Sequence, residues 1–134
     1  MIVYALDTNI ISYLLRGEHY IDDRISNELK SGNQVIIPPM AYYEVIRGLL
    51  FINAPRKNAV FETLCAKLGV GAIDRECMDI AANEHARLRK FGRPIDDADL
   101  LIAAYCIQTG ATLVTNNTKH FDGIENLDYT NWVK

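Results

Sequence analysis

The chain has 134 residues, of which 49% are hydrophobic and 23% charged. That balance excludes a disordered or low-complexity chain and suits one domain, residues 1–134, with a single core. Acidic residues outnumber basic ones by 17 to 14, so the chain does not bind nucleic acid through bulk positive charge.

From the N-terminus, Ile2 to Leu6 is a short apolar run rich in β-formers, which predicts a buried strand. Ile10, Ile11, Leu14 and Leu15 follow at helical spacing, with Gly17 as a stop. Ile21, Ile25 and Leu29 predict a second helix over 20–31, ended by Gly32-Asn33. Val35 to Ile37 is the next strand, closed by Pro38-Pro39. Helices are predicted from Met40 to Asn53 and from Arg56 to Leu68, and a weak strand from Val70 to Ile73. The next helix runs from Asp74 to Phe91, with Met78, Ala81, Ala82 and His85 along one face, and Gly92-Arg93-Pro94 breaks it. A helix from Asp96 to Thr109, a strand from Thr112 to Thr115 and a short strand around Asn126 to Tyr129 complete the chain. Short strands alternating with longer helices predict parallel βαβ units. The expected architecture is a three-layer α/β/α sandwich with a four- to five-stranded, mainly parallel sheet.

Cys65, Cys77 and Cys106 are an odd set with no zinc-like spacing, which points to a reducing cytoplasm rather than a disulfide scaffold. No basic segment precedes an apolar one at the N-terminus, so no signal peptide is expected. No apolar run approaches the roughly 18 residues of a membrane span.

Ligands of open parallel sheets bind beyond the carboxyl ends of the strands. Asp7 follows the first strand, and Thr115, Asn116 and Asn117 stand at the end of the Thr112 strand. Glu44 lies early in the helix after the second strand, and Asp96, Asp97 and Asp99 open a later helix. Carboxylates brought together repel one another unless a cation joins them. Oxygen donors without a suitable His or Cys select a hard ion such as Mg²⁺ or Mn²⁺, which activates water toward phosphorus. Each residue also has a plainer role. Asp7 suits a helix cap, Asp96 and Asp99 a capping-box pair, Glu44 an ion pair with Arg47, and Asn116-Asn117 a turn. Asp99 differs from Asp96 in sharing a face with the apolar Ala103 and Cys106, which turns it inward. The shared placement of these residues at strand ends favours a site.

The segments Leu6-Asp7-Thr8-Asn9, Tyr43-Glu44, Asp99 with Leu100 to Ala104, and Leu113 to Asn117 with His120-Phe121 resemble the successive motifs of PIN domains. The resemblance is to the VapC-type toxin ribonucleases of toxin–antitoxin pairs and runs from Ile2 to Trp132. It implies a PIN fold and a toxin that acts as a metal-dependent endoribonuclease, leaving 5′-phosphate and 3′-hydroxyl ends. It implies that Asp7, Glu44 and Asp99 hold Mg²⁺ or Mn²⁺ and that Asn117 completes the catalytic set. Asn117 stands where many members carry Asp, which leaves one or two ions open. It implies, too, that Thr8 and Thr115 orient ligands or water. The resemblance further implies a VapB-type antitoxin partner and a homodimer, while the cysteine usage above gives the cytoplasmic location. Asn131-Trp132 and the Thr115 to Thr118 stretch are similar to the branch that cuts initiator tRNA in the anticodon loop.

Arg87, Arg89, Lys90 and Arg93 form the densest basic run, suited either to RNA phosphates or to a solvated helix end. Lys119 and His120 also lie near the last motif; a lone His is more often structural, and His120 stays outside the catalytic set. Tyr13, Tyr42 and Tyr43 suit core packing better than base stacking. The alternative is a receiver-like signalling domain taking a phosphoryl group on Asp7. Such a domain needs adjacent acids after the first strand and its Thr and Lys on separate strand ends, whereas Thr115 and Lys119 share one.

Overall fold

A computed structural model describes residues 1–134. Its elements in chain order are β1 (Val3–Leu6), α1 (Thr8–Leu15), α2 (His19–Lys30), β2 (Gln34–Ile36), α3 (Pro39–Ile52) and α4 (Pro55–Leu68). They continue with α5 (Arg75–Lys90), α6 (Asp97–Thr109), β3 (Thr112–Val114), α7 (Thr118–Phe121) and β4 (Tyr129–Thr130). The strands form one sheet in the order β2-β1-β3-β4, and every pair is parallel. With seven helices around it, this is the expected α/β/α arrangement.

The order places β1 and β3 side by side, with Leu6 opposite Val114. The chain leaves β1 toward β2 on one side and later returns to β3 on the other. The crevice at the carboxyl ends of β1 and β3 is therefore the topological switch point. One further backbone bond, Asp7 N–H to the Val114 carbonyl at 2.9 Å, extends the pairing to the crevice mouth.

Local chemistry explains the helix limits. Asp7 caps α1 by accepting the Thr8 N–H, and Asp74 caps α5 by accepting the Cys77 N–H. Prolines open α3 and α4, where a missing N–H costs nothing. Asn53 and Gly110 end α3 and α6 in the left-handed conformation. Helix α6 is buried from Ile102 to Cys106 as well as at Leu100. It is the apolar centre around which the other layers pack.

Three expectations change, and one element is added. The Val70 to Ile73 strand reduces to a single bridge between Ile37 and Val70. Gly71 there lies so close to the Tyr105 ring that a Cβ would run into the phenol, and the chain passes over α6 instead of extending the sheet. The last strand starts later, at Tyr129, because Asn126 turns the backbone to φ 65°. Helix α7 went unpredicted, since four residues leave no periodicity. The buried face of α5 is Cys77, Ala81 and Leu88, whereas Met78 and Ala82 are exposed. No helix is long and apolar enough to cross a membrane.

Candidate active site

Asp7 is the buried centre of the crevice, with 3% of its surface exposed. Its Oδ1 accepts the Thr8 N–H at 2.8 Å. Its Oδ2 accepts the Thr115 hydroxyl at 2.7 Å and the Asn9 Nδ2 at 3.2 Å. Capping and site-building are thus done by one carboxyl. Burial pushes the Asp7 pKa up, the bond from Thr115 pulls it back down, and the Glu44 charge adds to the rise.

Glu44 reaches the crevice from α3. Its Oε1 accepts the Thr8 hydroxyl at 2.7 Å. The pairing with Arg47 does not form; Arg47 instead lies over the Tyr43 ring at 5.1 Å. Thr8 and Thr115 thus each donate a hydroxyl to one of these carboxylates.

Asp99 enters from the first turn of α6. Burial and the Asp7 charge push its pKa up to about 6, His120 opposes that rise, and the Glu44 and Asp96 charges add to it. The mutual effect of Asp7, Glu44 and Asp99 marks them as one electrostatic cluster. Asp96 takes the N-cap position of α6 but makes no capping bond through its side chain, so the expected capping box is absent. Asp96 and Asp97 are exposed.

Asp7, Glu44, Asp99 and Asn117 line one open cavity of about 670 Å³. Thr8, Asn9 and Asn116 complete its polar wall, while Val45, Leu49 and Ile52 make it apolar along α3. Asn117 is exposed; its backbone N–H donates to the Thr115 hydroxyl at 3.0 Å, and its side chain forms no hydrogen bond. His120, set apart in the sequence reading, comes closer: its Nδ1 is 3.5 Å from Asp99 Oδ2. The signal for it was weak, because the unpredicted α7 is what turns this residue back toward α6.

The donor set suits a hard divalent cation: carboxylate oxygens, raised pKa values, and room for water. No three His, Cys, Asp or Glu side chains are gathered tightly enough to enclose an ion unaided. A Mg²⁺ site built from one or two carboxylates and several waters does not require that.

The basic run divides. Arg87 is tied to Glu84 at 2.8 Å and to the Gly123 carbonyl at 2.6 Å, and Arg93 pairs with Asp122. Arg89 and Lys90 stay exposed. Tyr42 stacks on Phe61 in the core, while the Tyr13 hydroxyl accepts from Asn116 Nδ2 at 3.2 Å. Cys77 and Cys106 are buried, Cys65 is half-buried, and all three are free thiols. Burial pushes the Cys65 thiol up to about 11.

The PIN domain profile matches residues 4–126, and the chain belongs to the PIN domain family. Within that family the likeness is to VapC proteins. Ribonuclease VapC2 of Rickettsia felis is 31% identical over 98% of this chain and 99% of its own length. Ribonuclease VapC1 of Haemophilus influenzae is 29% identical over 98% of this chain and 99% of its own length. Among solved structures, VapBC2 from Rickettsia felis bound to a promoter DNA fragment superposes with a TM-score of 0.91 and 27% identity. It covers 98% of this chain and all of that one.

Proposed function

We propose that this chain, a single PIN domain over residues 1–134, is the toxin of a VapBC-type pair and an endoribonuclease that hydrolyses RNA phosphodiester bonds. The observation that carries the reading is the cluster of Asp7, Glu44 and Asp99 in one cavity at the β1/β3 switch point, with Asp7 and Asp99 both raised in pKa. Sequence relatives named as ribonucleases support it over the whole length. A receiver-like role has less support, since Asp7 is flanked by Leu6 and Thr8 rather than by a second acid.

Asp7, Glu44 and Asp99 are assigned to hold Mg²⁺ or Mn²⁺. When bound, that ion neutralises charge on the scissile phosphate and makes water nucleophilic near neutral pH. The chain's own residues prepare the ground. Thr115 and Asn9 hold Asp7, Thr8 holds Glu44, and Asn117 at the rim faces the substrate. The products carry 5′-phosphate and 3′-hydroxyl ends. A relative from Shigella flexneri, 28% identical over 98% of this chain, bears the name tRNA(fMet)-specific endonuclease. We assign initiator tRNA, cut in the anticodon loop, as the substrate. The apolar wall along α3 next to the carboxylates suits a VapB-type antitoxin segment with apolar residues and one basic side chain. VapBC complexes from Rickettsia felis and Haemophilus influenzae support such a partner. A homodimer and a cytoplasmic location complete the proposal, the latter in keeping with three free thiols.

The test is incubation of purified protein with total RNA and Mg²⁺ or Mn²⁺, followed by sequencing of new 5′ ends. New ends in the initiator tRNA anticodon loop, lost with Asp7→Asn or Asp99→Asn and with EDTA, are the expected result. Unchanged cleavage in excess EDTA refutes the mechanism, and ends elsewhere refute the substrate.

A further inference from the structure

Trp132 is buried edge-on against Tyr4 of β1, with ring centres 5.1 Å apart, and the Arg24 guanidinium covers it at 4.8 Å. This fixes the end of the chain beside the sheet. Asn131, the residue before it, is exposed and outside the cavity, yet its Nδ2 donates to Asn116 Oδ1 at 3.2 Å. Asn116 in turn donates from its backbone N–H to Asn9 Oδ1 at 3.0 Å, and from Nδ2 to the Tyr13 hydroxyl at 3.2 Å. Asn9 donates from its own Nδ2 to Asp7 Oδ2 at 3.2 Å. Both ends of the Asn9 and Asn116 amides are engaged, so the orientation of each is set by its neighbours.

We propose that Asn131 is a positioning residue for the nuclease site, acting on Asp7 through Asn116 and Asn9. The inference rests on the nuclease reading above. Asn131 pins the loop leaving β3, that loop fixes the Asn9 amide, and the amide holds one carboxylate oxygen of Asp7 at the angle the site needs. The C-terminal residues are in this way part of the catalytic architecture, and Trp132 is their anchor.

Asn131 has a second bond that separates this role from simple fastening of the tail: its Oδ1 accepts the Val133 N–H at 2.9 Å. Asn131→Asp keeps that acceptor but has no N–H to give Asn116 and sets a negative oxygen against its carbonyl. Asn131→Ala removes both bonds. The expected result is that both variants lower kcat by about five- to ten-fold, the size of one lost hydrogen bond. KM should stay within about two-fold, and Asn131→Asp should melt close to the parent. An Asn131→Asp variant as active as the parent overturns the proposal, as does a loss confined to Asn131→Ala. In the same proteins labelled with ¹⁵N, the side-chain amide signal of Asn9 should move in Asn131→Asp. A signal that stays in place overturns the relay whether or not RNA is cut. A signal that moves in a protein whose parent cuts no RNA upholds the relay and refutes the nuclease reading instead.

Discussion

Burial and the charge of Asp7 hold the Asp99 carboxyl at about 6, whereas an unfolded Asp titrates near 3.9. A carboxyl whose folded pKa is raised favours the fold most below about pH 4, and that contribution disappears as pH rises through about 6. At neutral pH the ion-free protein therefore carries a charge that weakens it. Asp99→Asn is expected to raise stability at pH 7 by about 1–2 kcal/mol, after allowing for the solvent that reaches this side chain. It is also expected to abolish cleavage. Thermal melts of both proteins at pH 4.5 and pH 7.5 check this: the gain should be roughly three times larger at the higher pH, since an unfolded Asp is already mostly ionised at pH 4.5. Thr115 offers the opposite experiment at Asp7. Its hydroxyl bond lowers the Asp7 pKa against the effect of burial. Thr115→Val keeps the volume and removes the bond, so the acid limb of kcat/KM should move to higher pH. The fold should lose about 1–3 kcal/mol, because a buried carboxyl is left short of a partner. An unmoved acid limb would show that Asp7 is not the group it reports.

At the scale of elements, the bridge at Val70 and the α6 helix beneath it meet at one tight point. A Cβ on Gly71 would run into the Tyr105 phenol, which is itself buried. Gly71→Ala is expected to cost roughly 1–3 kcal/mol through overpacking, and Tyr105→Phe should recover part of that loss. A double-mutant cycle measured by urea denaturation checks the coupling. This contact also explains where sequence reading stopped. Val35 and Ile37 announce a strand by composition alone, and Gly17, Gly32, Pro39 and Gly92 announce helix boundaries, because those signals are local. Nothing local tells that Gly71 lies against a tyrosine from a helix 34 positions on, or that Asn126 takes a left-handed turn and delays β4. The site divides in the same way. Asp7 and Glu44 could be read from their positions beyond strands, and Asp99 from the apolar residues it shares a face with. The approach of His120 to Asp99 could not, since it depends on a four-residue helix without a pattern.

For the whole molecule, the question is how a chain of net charge −3 grips a polyanion. The geometry assigns its cations unequally. Arg87 is committed to Glu84 and to the Gly123 carbonyl, and so braces α5 against the segment after α7. Lys119 borders a second cavity of about 440 Å³, which also includes Asp99 and so adjoins the site. Each phosphate contact made by a lysine steepens the fall of binding with salt, by about 0.7 in the log–log slope for single-stranded RNA. Lys119→Ala is expected to flatten the slope by about that amount and to weaken binding alike for every RNA sequence, without changing the melting temperature. Arg87→Ala is expected to do the reverse, lowering stability while leaving the slope unchanged. Binding titrations of both variants across a range of salt, with a site-inactivated Asp7→Asn background to prevent cleavage, measure the two slopes directly. Equal slopes for the Lys119→Ala variant and its parent would remove Lys119 from the RNA path and shift the electrostatic contact to Arg89 and Lys90, which are exposed at the end of α5.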